Sequence, residues 1–301
     1  MRELAPICLF VYNRPLHTEK TINTLKNNIL ASDSDLYIFS DGPRNDNTSN
    51  SVNEVRSYIA TITGFKSVNI ILRETNFGLA RNIIAGVSEV IKIHGKIIVL
   101  EDDILTHPKF LNFMNDALDL YKNDENVASI HGYVYPIEGL PETFFIRGAD
   151  CWGWATWARA WSVFEPNGTK LLNEIKLRKL EKEINYNDSM DFVGMLKNQV
   201  IGKNDSWAVR WHVSAFLKNM LTLYPGKSFV TNIGIDSSGQ HCATSDIYDP
   251  ILCDNYFELK KIQLIENKNA TKLFEDYFNK TNKSKFFKGI YYFVNLFRKS
   301  N

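Results

Sequence analysis

Lys96-Ile-Ile-Val-Leu-Glu-Asp-Asp103 is the stretch whose reading decides the fold. Ile97 to Glu101 read as a β-strand buried on both faces, because the run is continuously apolar and β-branched where a half-exposed strand would alternate. Three consecutive carboxylates at its end cannot all be buried, since each uncompensated charge in a low-dielectric interior costs several kcal/mol. The acids therefore face a crevice at the carboxyl edge of a sheet, where open α/β folds place their ligands. Hard oxygen donors suit Mn²⁺ or Mg²⁺, and such an ion suits a diphosphate. The plainer alternative is a solvated strand end opening into a loop.

Upstream of this stretch, strand and helix patterns alternate. Ala5 to Tyr12 form a first buried strand, closed by Asn13-Arg14-Pro15. Pro15 then starts a helix reaching Ile29, a position suited to proline because its missing N–H would be unpaired there anyway. Leu36 to Phe39 are a second strand, ending in the turn Ser40-Asp41-Gly42-Pro43. A polar loop leads into a helix running to Ile62, then come a strand from Val68 to Arg73 and a helix from Leu79 to Ile93. This alternation argues for βαβ units and a parallel sheet. Between the third strand and the next helix, Asn76, Gly78, Arg81 and Asn82 are candidates to meet a phosphate at a helix N-terminus, although Asn-x-Gly is also ordinary turn chemistry.

Downstream, Pro108 to Tyr121 carry a helical core pattern, and Val127 to Gly132 and Phe144 to Arg147 read as strands. Gly148 to Trp161 hold four of the six tryptophans. Those within Ala155 to Trp161 are expected to pack a helix. Trp152-Gly153-Trp154 ahead of it is a candidate sugar platform, since an indole in a loop offers an apolar face. Lys170 to Lys203 read as charged and helical. Asp205, beside Ser206, is either a helix cap or a general base. The Gly/Ser loop after Phe229 ends in His241, a candidate metal ligand on a flap, or else a solvated histidine.

Length and composition limit the possibilities. The chain has 301 residues, 44% hydrophobic and 23% charged, with a formal net charge of +1, as expected of a globular α/β protein without a nucleic-acid partner. Cys8, Cys151, Cys242 and Cys253 lack metal-type spacing and read as free thiols in a reducing compartment. No signal peptide is legible, and no run approaches the ~20 apolar residues of a spanning helix. The expected location is therefore cytoplasmic. Residues 280–299 hold six Lys/Arg, no acid and many aromatics, a pattern of helices lying in a membrane interface. A terminal helix docked on the domain or at a subunit interface is the alternative.

The order Phe10-Val-Tyr-Asn-Arg14, Ser40-Asp41, Ile98-Val-Leu-Glu-Asp-Asp103, Asp150-Cys-Trp-Gly-Trp154 and Asn204-Asp-Ser-Trp207 resembles the GT-A nucleotide-sugar glycosyltransferases. In detail it is similar to the branch containing the Golgi N-acetylglucosaminyltransferase that initiates complex N-glycans, and to bacterial family 2-like sugar transferases. The resemblance spans about residues 5 to 245. It implies a Rossmann-like mixed, mainly parallel sheet flanked by helices, over a domain of residues 1–260. Within it 1–103 form the nucleotide-binding half and 104–260 the acceptor-binding half, followed by a helical, basic-aromatic tail at 261–301.

By position, the resemblance implies that Asp41 holds the nucleobase and that Asn13 and Arg14 hold the nucleotide. Asp102 approaches the ribose, Asp103 ligates Mn²⁺ or Mg²⁺, and Glu101 sits near the donor sugar. The resemblance sets the catalytic base in an acidic pair before a tryptophan. Here that pair is Asn204-Asp205, one residue further from Trp207, and Asp205 is the base it implies. The expected activity is an inverting transfer of GlcNAc or another hexose from a UDP-sugar to a glycan or lipid-linked acceptor, as in bacterial capsule or lipopolysaccharide assembly. The competing readings are a nucleotidyltransferase, which would carry glycines after the first strand, and a non-catalytic carbohydrate-binding protein.

Overall fold

The computed structural model describes residues 3–234, 246–254 and 257–282. Its centre is an eight-stranded mixed sheet built from β1 (Ile7–Val11), β2 (Asp35–Ser40), β3 (Ser67–Leu72), β4 (Lys96–Glu101), β6 (Val127–His131), β7 (Thr143–Arg147), β8 (Trp154–Trp157) and β9 (Leu221–Pro225). The spatial order is β3-β2-β1-β4-β8-β6-β9-β7. The pairs β3–β2, β2–β1, β1–β4 and β6–β9 are parallel, while β8 and β7 run the other way. The mixed, mainly parallel sheet expected from the sequence is therefore the one observed. A short ribbon of β5 (Ile104–Thr106) and β10 (Val230–Asn232) stands beside it, pairing Ile104 with Asn232.

All five residues of β1 are buried, as are Ile97 to Leu100 of β4, which follows from helices covering both faces of the sheet. In chain order the helices are α1 (Pro15–Lys26), α2 (Asp46–Ile59), α3 (Leu79–His94), α4 (Phe110–Leu120), α5 (Ala158–Trp161), α6 (Gly168–Arg178), α7 (Glu181–Ile184), α8 (Phe192–Val200) and α9 (Trp207–Leu217). Pro15 opens α1 and a left-handed Gly95 closes α3, its N–H bonding to the Ile91 carbonyl. α1 and α4 are tied together by Asn28, whose Oδ1 accepts the Leu111 amide at 3.0 Å. Among the described residues no helix is long and apolar enough to cross a membrane.

Two expectations need correction. The first concerns Trp154 to Trp157, which form a strand between β4 and β6; only Ala158–Trp161 are helical. The period of two is visible in the side chains. Trp154 packs against Trp161, Trp207 and Trp211 on the α5/α9 face, whereas Trp157 donates its indole N–H to the Leu118 carbonyl on the α4 face. The second concerns the charged region Lys170 to Lys203, which is helical in three separate pieces with turns between them. Lys179 and the consecutive Tyr186, Asn187 and Asp188 adopt positive φ and break it.

The stretch expected to form a tail is partly built into the domain. Residues 268–282 are helical, and Ala270, Phe274 and Phe278 are buried against Phe144 and Tyr224 of β7 and β9. From residue 283 onward the basic aromatic segment lies outside the described residues.

Candidate active site

Because β1, β2 and β4 are parallel neighbours, their carboxyl ends meet at one edge. The registers Phe10↔Phe39 and Phe10↔Glu101 bring Asn13-Arg14, Asp41 and the acidic run together there. Arg14 sits between the acids. Its Nη2 donates to Oδ1 of Asp102 and, at 2.9 Å, to Oδ2 of Asp103. Thr21 Oγ1 donates to the Asp102 carbonyl and the Ile233 amide to the Asp103 carbonyl, so α1 and β10 fix the backbone of the run. β10 continues into Gly234, where a Cβ would lie 2.2 Å from Oδ2 of Asp103, so only glycine allows this approach.

Crowding of like charge shows in the acids. Burial, then the charges of Asp103 and Asp102, push the Glu101 carboxyl up to about 8, with Arg14 opposing. Burial also raises Asp102 against the pull of Arg14. For Arg14 burial works against the charge, yet the two aspartates outweigh it and hold the guanidinium above its ordinary value.

This oxygen-only donor set fits a hard divalent cation on Asp103, with Glu101 near. Among the described residues no three His, Cys, Asp or Glu side chains converge as a self-sufficient metal site. His241 lies outside the described residues.

Asp41 is buried with its acceptor positions filled by its own surroundings. Oδ1 accepts the amides of Gly42 (2.9 Å) and Phe77 (2.7 Å), and Oδ2 accepts the Gly78 amide (2.9 Å) and the Asn76 side chain (3.1 Å). Asn76 also donates to the Gly42 carbonyl. Asp41 and Asn76 thus form one network that ties the start of α3 to the end of β2, and a nucleobase would compete with these bonds. Gly78, at φ 73°, adopts the left-handed turn that precedes α3.

Asp205 precedes α9 but does not cap it; Ser206 does, accepting the Val209 amide at 3.2 Å. The Asp205 side chain is 68% exposed, with Oδ1 2.9 Å from Nη2 of Arg210. Arg210 is buried and also donates to the carbonyls of Ser206 and Pro166, clamping the turn. Because α9 leads through a short turn into β9, parallel to β6, its N-terminus points toward the same edge as the acids. Arg81 does not join Asn76. It lies over the Phe77 ring at 4.0 Å and lines a cavity with Asp205.

The Trp152-Gly153-Trp154 platform divides. Trp154 is fully buried among indoles and cannot face a sugar, which corrects the expectation for it. Gly153 is buried, with φ 62° and its carbonyl accepting the Gly132 amide, so its role is packing. Trp152 is half-buried, edge-on to Tyr133 (4.7 Å) and Tyr248 (5.8 Å).

Asp150 was legible only as part of a motif, yet it is integral to this edge. Its Oδ1 accepts the Cys151 amide (2.8 Å), its Oδ2 accepts the Tyr224 hydroxyl (3.2 Å), and His131 Nε2 lies 3.8 Å away. His131 Nε2 accepts the Trp152 amide, and burial lowers the pKa of the ring. Burial raises the Cys151 thiol, and the charges of Asp150, Glu101 and Asp103 add to it. A carboxylate next to Trp152 was the available signal.

Residues 7–146 match the family model described as Glycosyl transferase family 2. No curated protein matches the chain. Among solved structures it is similar to the mannosyltransferase PcManGT from Pyrobaculum calidifontis in complex with GDP-Man and Mn²⁺. The identity is 14%, over 44% of this chain and 36% of that one, with a TM-score of 0.32. It is similar to a UDP-glucose pyrophosphorylase complexed with UDP-glucose, at 11% identity over 74% of this chain and 90% of that one, with a TM-score of 0.38. It is also similar to residues 1–349 of TarS from S. aureus, at 13% identity over 48% of this chain and 41% of that one, with a TM-score of 0.31. The chain spans about a third of the length of PcManGT.

Proposed function

Taking the chain as a family 2-like glycosyltransferase over residues 7–146, we propose that it transfers a hexose from a nucleoside-diphosphate sugar, a UDP-sugar such as UDP-GlcNAc, to a hydroxyl of a glycan or lipid-linked acceptor. The observation that carries this reading is the acidic run at the end of β4, spanned by Arg14 at an edge shared with the β1–α1 turn. A Mn²⁺ or Mg²⁺ ion on Asp103, when bound, would offset charge on the departing diphosphate. Arg14 is within reach of the same phosphates once it releases one aspartate, and Asn13 flanks it.

In this reading Asp205 is the general base. Arg210 holds one of its oxygens, and the other takes no hydrogen bond among the described residues. That oxygen accepts the proton of the acceptor hydroxyl as the hydroxyl oxygen attacks the anomeric carbon. The bond from that carbon to the diphosphate breaks, its electron pair leaves with the phosphate, and configuration inverts. Trp152 offers its half-buried ring to a sugar face. The basic segment 280–299 would meet a membrane carrying a lipid-linked acceptor.

A panel of UDP-, GDP- and dTDP-sugars with Mn²⁺, followed by release of the nucleoside diphosphate, tests the proposal. Slow donor hydrolysis with one nucleotide class supports it. Release of pyrophosphate from a nucleoside triphosphate and a sugar 1-phosphate, with no hydrolysis of any sugar nucleotide, would replace it with nucleotidyl transfer.

A further inference from the structure

Arg81 and Asp205 are 124 positions apart in the chain and line one cavity. It is an open groove in the seam between α3 and α9 with a volume of about 300 Å³. That is the lower end of the range of about 300–1,000 Å³ for small-molecule sites, a size for one sugar residue and not for an oligosaccharide. Ala80, Ile84 and Ala85 give it an apolar lining, to which Ser88 adds a hydroxyl. Ser88 is already engaged, donating to the Ile84 carbonyl and accepting the Trp161 indole N–H. The polar groups left to meet a ligand are Asp205 and Arg81.

The two arginines of the cavity differ. Arg210 spends its guanidinium on Ser206, Pro166 and Asp205. Arg81 rests on Phe77, which fixes its plane and leaves its N–H edges open, and no carboxylate pairs with it among the described residues. An exposed arginine without a partner is ordinary on a surface. One held flat at the rim of a cavity, with a carboxylate on that cavity's wall, is a recognition group. A planar guanidinium with open edges matches a carboxylate or a phosphate, which it can bind through two parallel hydrogen bonds.

We propose that this cavity seats the acceptor sugar, and that Arg81 selects an acceptor carrying an anionic group, a carboxylate or a phosphate. The anion meets Arg81, the apolar wall receives the ring, and a ring hydroxyl reaches the second oxygen of Asp205. The inference rests on the reading of Asp205 as the base, and it moves Arg81 from the donor to the acceptor.

The test uses the full chain with UDP and Mg²⁺, and reads saturation-transfer NMR from three probes: methyl β-D-glucuronide, glucose 6-phosphate and methyl β-D-glucoside. The expected result is a response from the glucuronide or the phosphate at least fivefold stronger than from the neutral glucoside. Which of the two responds identifies the anion. Arg81→Gln should bring that response down to the neutral level, and Arg81→Lys should retain part of it, with melting curves confirming that both variants fold. Equal responses from charged and neutral probes, no response from any probe, or an unaltered response in Arg81→Gln would overturn the proposal. UDP resonances in the same samples report separately on the transferase reading. Anionic-probe binding without binding of UDP, or of GDP or dTDP in its place, would sink that reading and leave the anionic-sugar cavity standing; nucleotide binding without probe binding would do the reverse.

Discussion

The guanidinium nitrogen of Arg14 that lies 2.9 Å from Asp103 is the same atom that meets Asp102, so one cation spans the two carboxylates ending β4. A divalent ion approaching Asp103 meets this positive charge first. Two unit charges about 4 Å apart interact by about 4 kcal/mol at an effective dielectric of about 20. Arg14 would therefore oppose a metal on Asp103 until a diphosphate drew it away.

Arg14→Gln should bind Mn²⁺ alone at least tenfold more tightly than the wild type, read by the loss of the free-ion paramagnetic resonance signal. In the wild type, Mn²⁺ affinity should rise steeply when UDP is added, and the variant should lose most of that gain. Equal Mn²⁺ affinity in the two proteins without nucleotide would refute the opposition.

Asp41 accepts three backbone amides at the entry to α3. Asparagine keeps one oxygen and turns the other into a donor facing an amide. A buried N–H left without an acceptor costs about 1–3 kcal/mol, so Asp41→Asn should lose about that much stability in urea. Hydrogen exchange should accelerate at the Phe77 and Gly78 amides. Unchanged exchange there would mean that the carboxylate is not what holds the turn.

Asp205→Asn should lower the transfer rate by about 10²–10⁴-fold, the usual contribution of a general base. Donor affinity should stay near that of the wild type, because Asp205 lies outside the acidic run. A loss of donor affinity with the rate constant preserved would remove it from the chemistry.

His212 is buried on α9, and its Nδ1–H donates to the Ala149 carbonyl at 2.9 Å. Burial lowers its pKa below the ordinary 6.5, as it does for His131. Between the folded and unfolded values the unfolded chain binds more protons, so stability rises with pH across that window. The histidines' contribution to the melting temperature should fall as pH drops below about 6.5, while the raised Glu101 carboxyl works the other way, so the comparison is between the wild type and a histidine variant. His212→Asn, which keeps a donor for Ala149, should flatten this slope even if it lowers stability overall. A slope as steep in the variant would assign the effect to other groups.

The βα alternation of the first hundred residues was legible because β1 and β4, buried on both faces, cannot hide their apolar runs, although the edge strand β3 is partly exposed. β8 was not legible in this way. Trp154-Ala-Thr-Trp157 has too few residues to separate a period of two from a helical turn, and its partners come from distant parts of the chain. The β5–β10 ribbon is harder still, with three residues on each side and more than a hundred between them.

At the site, residue types were readable and their partners were not. Asp41 and Asn76 were separate candidates until the backbone closed around them, and Arg81 parted from its neighbours because Phe77 turned it toward α9. Trp154 and Trp152 look alike in sequence, and only the pairing of β8 buries one and leaves the other at the rim.

The most direct test of the nucleotide-sugar site is calorimetric titration of UDP with and without Mn²⁺, on the wild type and on Asp103→Ala. The account predicts binding that needs the metal and is lost in the variant. Binding that is equal with and without Mn²⁺, or is retained in Asp103→Ala, would contradict a metal-bridged diphosphate at the end of β4.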